Sequence, residues 1–247
     1  MPQLKLPPPT ASVSELLDAA TAVFRMTLAK ALPAALFAML MAGLSGMYWM
    51  TTGKPFDFFH PPLDPRFWAL AGVGLACYQL LAAIVMLRQK AMMGGGAPDL
   101  QREASAALQR WPMLVATWVL GSVVTAAGFV LVIPGVYLLV ALLLLPPVVL
   151  FESTGAVQAL VRCERLVRPF WLRVMAAAVI ALLIFFICLV AAGVCLAVLN
   201  AVVTAFGVQP EAFRAFSAAC QLGVEAVALV YFSALWLVLY SVASSSA

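Results

Sequence analysis

Six runs of mostly apolar side chains, at about residues 31–50, 67–87, 113–133, 135–151, 174–200 and 219–242, constrain this chain more than any other feature. A helix needs about 20 such residues to cross about 30 Å of hydrocarbon. The runs therefore read as six transmembrane helices, the fourth short and the fifth long. Composition supports this: 65% of the 247 residues are hydrophobic and 10% are charged, against about 25% charged in an ordinary soluble domain. Mean hydropathy is +1.07. Too few charges remain to cover a globule in water, which excludes a soluble enzyme, a coiled coil, a secreted disulfide scaffold and a disordered tail. The expected fold class is all-α, one polytopic membrane domain over residues 1–247. No apolar core followed by a small-residue cleavage site occurs in the first thirty residues, so the first run is expected to be retained.

Lysine and arginine set the expected orientation. Eleven of the fourteen basic residues fall in segments on one side of the runs, and Lys54, Arg66 and Arg214 fall on the other. In short loops such a bias marks the cytoplasmic side, which places both ends of the chain there. The outer segment is flanked by Trp49, Phe56, Phe58, Phe59 and Trp68, side chains that favour the membrane–water interface.

Each basic segment holds a short helical pattern ahead of a span. The first covers about 13–27, where Ser12 and Glu15 have the spacing of a capping box. The second covers about 99–110, with Asp99 as N-cap. The third covers about 154–167, with Ser153 as cap. At about 100° per residue, Leu160, Cys163, Leu166 and Val167 share one face of the third segment. Arg165, Arg168, Glu164 and Gln158 share the other, and Val157 and Val161 break the pattern. A basic amphipathic helix of this kind is suited to the headgroup plane. Three repeats follow, roughly 12–87, 98–151 and 153–243, each read as an amphipathic helix and a helical hairpin. Ile133-Pro134-Gly135 is expected to form a tight turn, with proline ending one helix and glycine relieving the backbone.

Few residues are candidates for chemistry. Glu225 is a clear intramembrane acid, with Gln221 one turn earlier and Asn200 at the outer end of the fifth span. A charged carboxylate at the bilayer centre costs about 2.5–3.5 kcal/mol on insertion scales. The group reads either as a cation or proton site or as an acid that fixes helix packing. Pro146-Pro147 removes two backbone donors from the fourth span, so the carbonyls near Leu142 and Leu143 lose helical partners. Such breaks line sites in transporters, but they also serve as plain kinks. Glu152 closes that span and is placed to pair with a basic residue of a neighbouring repeat. Arg162, Arg165 and Arg168 are the candidates for lipid or interface contact.

Other chemistries find no support. Gly94-Gly95-Gly96 lacks the preceding strand and spacing of a phosphate loop, and neither G-x-S-x-G nor H-E-x-x-H occurs. Asp57, His60 and Asp64 are too sparse for a convincing metal set. The five cysteines form no C-x-x-C pair and read as compact apolar residues. No cofactor or metal is expected.

The stretch Ile133-Pro134-Gly135-Val136-Tyr137 through Pro147-Val148-Val149-Leu150-Phe151-Glu152, with Gly155-Ala156, Ala159-Leu160, Arg162, Leu166-Val167 and Trp171, resembles a bacterial pattern. It is similar to the YciC-like membrane proteins and to the membrane domain found beside glycerophosphodiester phosphodiesterases. Cys163 stands where that pattern has serine. The resemblance covers about forty residues and implies six helices in a bacterial inner membrane. No phosphodiesterase domain is present, so that activity does not carry over.

The leading expectation is a non-enzymatic inner-membrane protein that meets anionic lipid headgroups, or a membrane or cytoplasmic protein partner, through its basic interfacial helices. Each Lys or Arg near an anionic surface contributes about 1 kcal/mol. A transporter or lipid-translocating protein is the alternative, resting on Glu225, the broken span and the repeats. A membrane enzyme ranks last, and no nucleic-acid partner is expected.

Overall fold

The computed structural model describes residues 7–8, 10–52, 63–152, 155–205 and 210–245. Regular structure among them is helical: α1 (Val13–Ala42), α2 (Leu44–Thr51), α3 (Pro65–Met93), α4 (Leu100–Phe129), α5 (Ile133–Ala141), α6 (Leu145–Glu152), α7 (Ala156–Val167), α8 (Trp171–Ala205) and α9 (Pro210–Ser244). Two 3-10 turns, Leu142–Leu144 and Arg168–Phe170, join α5 to α6 and α7 to α8. Among the described residues six segments are long and apolar enough to cross a membrane: Val13–Ala42, Pro65–Met93, Leu100–Phe129, Ile133–Glu152, Ala156–Thr204 and Phe216–Ser244.

The first helix starts where the capping box places it. Ser12 Oγ accepts from the Glu15 N–H at 3.4 Å, and Glu15 Oε2 accepts from the Ser12 N–H at 2.7 Å. It then continues through the expected boundary near residue 30 and stops at Gly43. The second segment likewise starts at its Asp99 cap, which accepts from the N–H groups of Gln101 and Arg102, and runs unbroken into the third span. In these two units the segment ahead of the span is therefore the first part of one long helix. Pro33 and Pro112 lie inside these helices without ending them, because packing along both flanks holds the backbone helical across a missing donor. The third segment is a helix of its own. Its N-cap is Gly155, and Ser153 lies outside the described residues.

α1 forms the axis of the bundle and lies against α9 and α3 along most of its length. Ala31, Ala35 and Ala38 form a narrow strip against Ala226, Leu229 and Val230, with Val85 alongside. Small side chains at four- and three-residue spacing let helix backbones approach, the usual basis of helix packing in lipid. A Cβ at Gly74 would collide with the Met41 carbonyl of α1, so α3 crosses α1 at a point where only glycine fits. The larger core gathers the start of α1, the end of α9, α6 and α7.

α8 packs far less. Val174, Ala177 and Ala181 are buried near its start, whereas Leu182, Leu183, Phe186, Ile187, Val194 and Val198 are all exposed. A surface of this size would aggregate a soluble protein; in a bilayer it is the face that meets lipid tails.

The turn between α4 and α5 differs from its expected form. The positive φ falls on Val132 (55°), not on Gly135. The Ile133 N–H donates to the Leu131 carbonyl at 2.6 Å, which makes 131–133 a γ-turn of the strained, positive-φ kind. A β-branched residue there costs about 1–3 kcal/mol. Pro134 lies in the first turn of α5, where it has no donor to lose. Gly135 serves close approach instead: a Cβ there would lie 2.6 Å from Phe129 Cα.

Candidate functional site

The fourth span breaks where its prolines require. α5 ends at Ala141 and α6 begins at Leu145, with the 3-10 turn Leu142–Leu144 between them. Pro146 and Pro147 have no N–H to offer to Leu142 and Leu143. The Leu142 carbonyl is satisfied by the Leu145 N–H in the tighter i+3 pattern. Leu143 faces proline at both i+3 and i+4, so no helical donor exists for its carbonyl.

Open space surrounds this break. A cleft of about 460 Å³ lies between α4 and the break, lined by Thr117, Ser122, Thr125, Leu142, Pro146 and Trp236. A smaller cavity of about 160 Å³ lies between Tyr78, Gln79, Pro146 and Trp236. A third, of about 370 Å³, is lined by Leu143, Phe185, Glu225, Phe232 and Trp236. Beyond it a groove of about 710 Å³ runs between α1, α8 and α9, past Leu36, Phe185, Tyr231 and Phe232. Trp236 borders the first three, and Phe185 and Phe232 border the last two. Pro146 and Glu225, far apart in sequence, thus line neighbouring clefts that share the Trp236 side chain as a wall.

The walls are mostly hydrocarbon and aromatic. Thr117 and Ser233 spend their hydroxyls on carbonyls of their own helices, Met113 at 2.7 Å and Val230 at 3.0 Å. Glu225 is half-buried and accepts from the Gln221 amide at 3.1 Å. Asn200 is exposed near the far end of α8 and makes no hydrogen bond with Glu225. The expected trio is therefore a pair.

A polar network holds the basic end of the bundle. Arg88 and Glu103 form an ion pair at 2.8 Å, with their side chains 12% and 6% exposed. Arg88 Nη1 also donates to the Lys30 carbonyl at 2.6 Å. Gln89 is fully buried and donates to the Val230 carbonyl at 2.8 Å. Lys90 Nζ lies 3.4 Å over the Phe151 ring. Sequence reading missed Arg88, Gln89 and Glu103. The available signal was position: Arg88 and Glu103 stand at similar distances from the Gly94–Gly96 turn, so adjacent helices bring them level.

Glu152 and Arg162 do come together, at 2.9 Å, and Tyr240 OH donates to the other Glu152 oxygen at 3.2 Å. The three basic candidates of α7 separate accordingly: Arg162 is tied to α6, while Arg165 and Arg168 are exposed. The apolar face of α7 is not free to enter a headgroup layer. Ala159, Cys163, Leu166 and Val167 are buried, and the helix packs on α4, α6 and the 142–144 turn. α7 straddles the break, since Tyr137 OH on α5 donates to Glu164 at 3.0 Å. Trp171 stacks on the Tyr137 ring, with centroids 5.8 Å apart, and donates to the Tyr137 carbonyl at 3.3 Å. The exposed edge of α7 and its C-cap carries Val157, Val161, Arg165 and Arg168 at helical spacing. The two valines that broke the sequence pattern thus extend the arginine stripe with apolar surface.

At the opposite end Asp64 caps α3 and accepts from Tyr48 OH at 2.7 Å. Hydrogen bonding to that carboxylate holds the Tyr48 phenol above its usual pKa. Asp57 and His60, with Phe56, Phe58, Phe59, Lys5 and Lys54, lie outside the described residues, as does the Arg214 side chain. Among the described residues no three His, Cys, Asp or Glu side chains gather as a metal set. Compared with protein-family models, curated proteins and solved structures, the chain matches none.

Proposed function

We propose that this chain is a non-catalytic integral protein of a bacterial inner membrane that holds lipid, with its basic end in the cytoplasm. On this reading the chain is built as three hairpin units of the YciC-like kind. The observation that carries the proposal is the group of neighbouring clefts around Trp236, walled by apolar side chains, two of them lined by Pro146 at the helix break. Acyl chains suit such walls, where the Thr117 and Ser233 hydroxyls are already engaged within their own helices. The exposed stripe of α7 supplies the matching headgroup surface, with Val157 and Val161 toward hydrocarbon and Arg165 and Arg168 toward anionic phosphate.

The experiment is a titration of the detergent-purified protein with vesicles containing phosphatidylglycerol. Replacing Arg165 and Arg168 together by glutamine is expected to weaken binding about tenfold or more, at about 1 kcal/mol per arginine. Unchanged affinity would remove α7 as the lipid contact.

Lipid translocation is the second reading, and Glu225 favours it. A half-buried carboxyl opening onto a lateral cleft is where a moving polar headgroup would find a partner.

A further inference from the structure

A pocket at the basic end carries charge that the fold leaves unused. About 480 Å³ of space lies between the last turns of α3, the glycine linker and the first turns of α4. Its charged lining comprises Lys90, Asp99, Arg102 and Glu103. Asp99 is spent on the cap of α4, and Glu103 Oε2 is spent on Arg88. Lys90 and Arg102 have no acid partner among the described residues: the Lys90 ammonium rests on the Phe151 ring and the Arg102 side chain is exposed. Glu103 is 6% exposed, and its Oε1 meets no donor at all. A buried carboxylate oxygen in that state lacks a partner that a bound ligand would supply.

The linker gives the pocket its shape but none of its chemistry. Gly95 has a φ of 78°, which favours glycine. The N–H groups of Gly94, Gly95 and Gly96 all turn back onto carbonyls of α3. No backbone nest is left to hold an anion, so recognition falls to the side chains. Two unpaired cations beside one unsatisfied buried acceptor describe a zwitterion that carries a phosphoryl group and an ammonium donor.

We propose that this pocket binds phosphoethanolamine, with the phosphoryl group between Lys90 and Arg102 and the ammonium donating to Glu103. In a membrane that group is presented by phosphatidylethanolamine of the leaflet at this end. The inference rests on the membrane reading above. It uses different residues and a different headgroup from the α7 stripe.

The full chain, delipidated in detergent, is titrated with three vesicle compositions: phosphatidylcholine alone, with phosphatidylethanolamine, and with phosphatidylglycerol. Soluble phosphoethanolamine forms a fourth arm. Choline has no N–H to give to Glu103, so phosphatidylethanolamine is expected to bind about tenfold more tightly than phosphatidylcholine. Arg102→Gln, on an exposed side chain, is expected to erase about tenfold of that affinity with the thermal midpoint and phosphatidylglycerol binding unchanged. The Arg165→Gln/Arg168→Gln variant is expected to do the reverse, so the two sites fail separately. Tighter binding of the lipid than of soluble phosphoethanolamine assigns the pocket to a headgroup, and the opposite order assigns it to a free phosphoamine; both keep the zwitterion chemistry. Equal affinity for ethanolamine and choline headgroups, or an Arg102→Gln variant that binds phosphatidylethanolamine unchanged, overturns the proposal.

Discussion

Arg88→Ala is expected to cost about 3–5 kcal/mol, the usual result of breaking a buried ion pair from one side. Arg88 joins three helices: it sits on α3, pairs with Glu103 of α4 and donates to the Lys30 carbonyl of α1. Its removal strands the Glu103 carboxylate at 6% exposure, with neither oxygen paired. Against a typical folding stability of about 5–15 kcal/mol, that loss should leave little folded protein on extraction. The check is a thermal melt in mild detergent, followed by size-exclusion chromatography. Arg88→Met/Glu103→Met, which removes both charges and keeps the volume, should recover most of the loss. A single variant that melts with the parent protein would show that the pair is too well hydrated to matter.

Gly135→Ala is the second large effect, about 3 kcal/mol or more. A single methyl would meet Phe129 at its Cα, backbone nitrogen and ring within 2.7 Å. The clash is with main chain and not with a flexible side chain, so relief requires α4 and α5 to part. The γ-turn at Val132 is already strained and gives no slack on that side. Parting the helices would also open the 460 Å³ cleft beside Leu142. The expected outcome is a lower melting midpoint together with reduced retention of co-purified lipid. An unchanged midpoint would show that α4 and α5 have room for a methyl group at this crossing.

Local features were legible wherever one residue dictates its own surroundings. Ser12 with Glu15, and Asp99 after Pro98, announce helix starts because each satisfies N–H groups within three residues. Pro146-Pro147 announces a break because two consecutive missing donors leave Leu143 facing proline at both i+3 and i+4. Glu152 stood out because a lone acid at the end of an apolar run needs a partner, and Arg162 supplies it. What failed needed three dimensions. Nothing near residue 30 shows that α1 continues, since its continuity comes from flanking helices α3 and α9. The role of Gly135 was misread as backbone freedom because the steric demand comes from Phe129, across the turn. Periodicity in α7 cannot say whether an apolar face meets lipid or protein; Ala159, Cys163, Leu166 and Val167 are buried where α7 packs on α4, α6 and the 142–144 turn. Arg88, Gln89 and Glu103 escaped notice because polar residues at span ends read as interfacial until packing shows Gln89 and Glu103 buried and Arg88 paired against Glu103.

On the proposed reading these helices cross a bilayer with the arginine-rich end in the cytoplasm. Paired fusions test it directly, with green fluorescent protein and alkaline phosphatase inserted in turn at Gly95 and after Thr52, and both activities read in intact cells. Fluorescence at Gly95 with phosphatase activity at Thr52 is the predicted result. Phosphatase activity at Gly95, or the same reporter active at both positions, would contradict it.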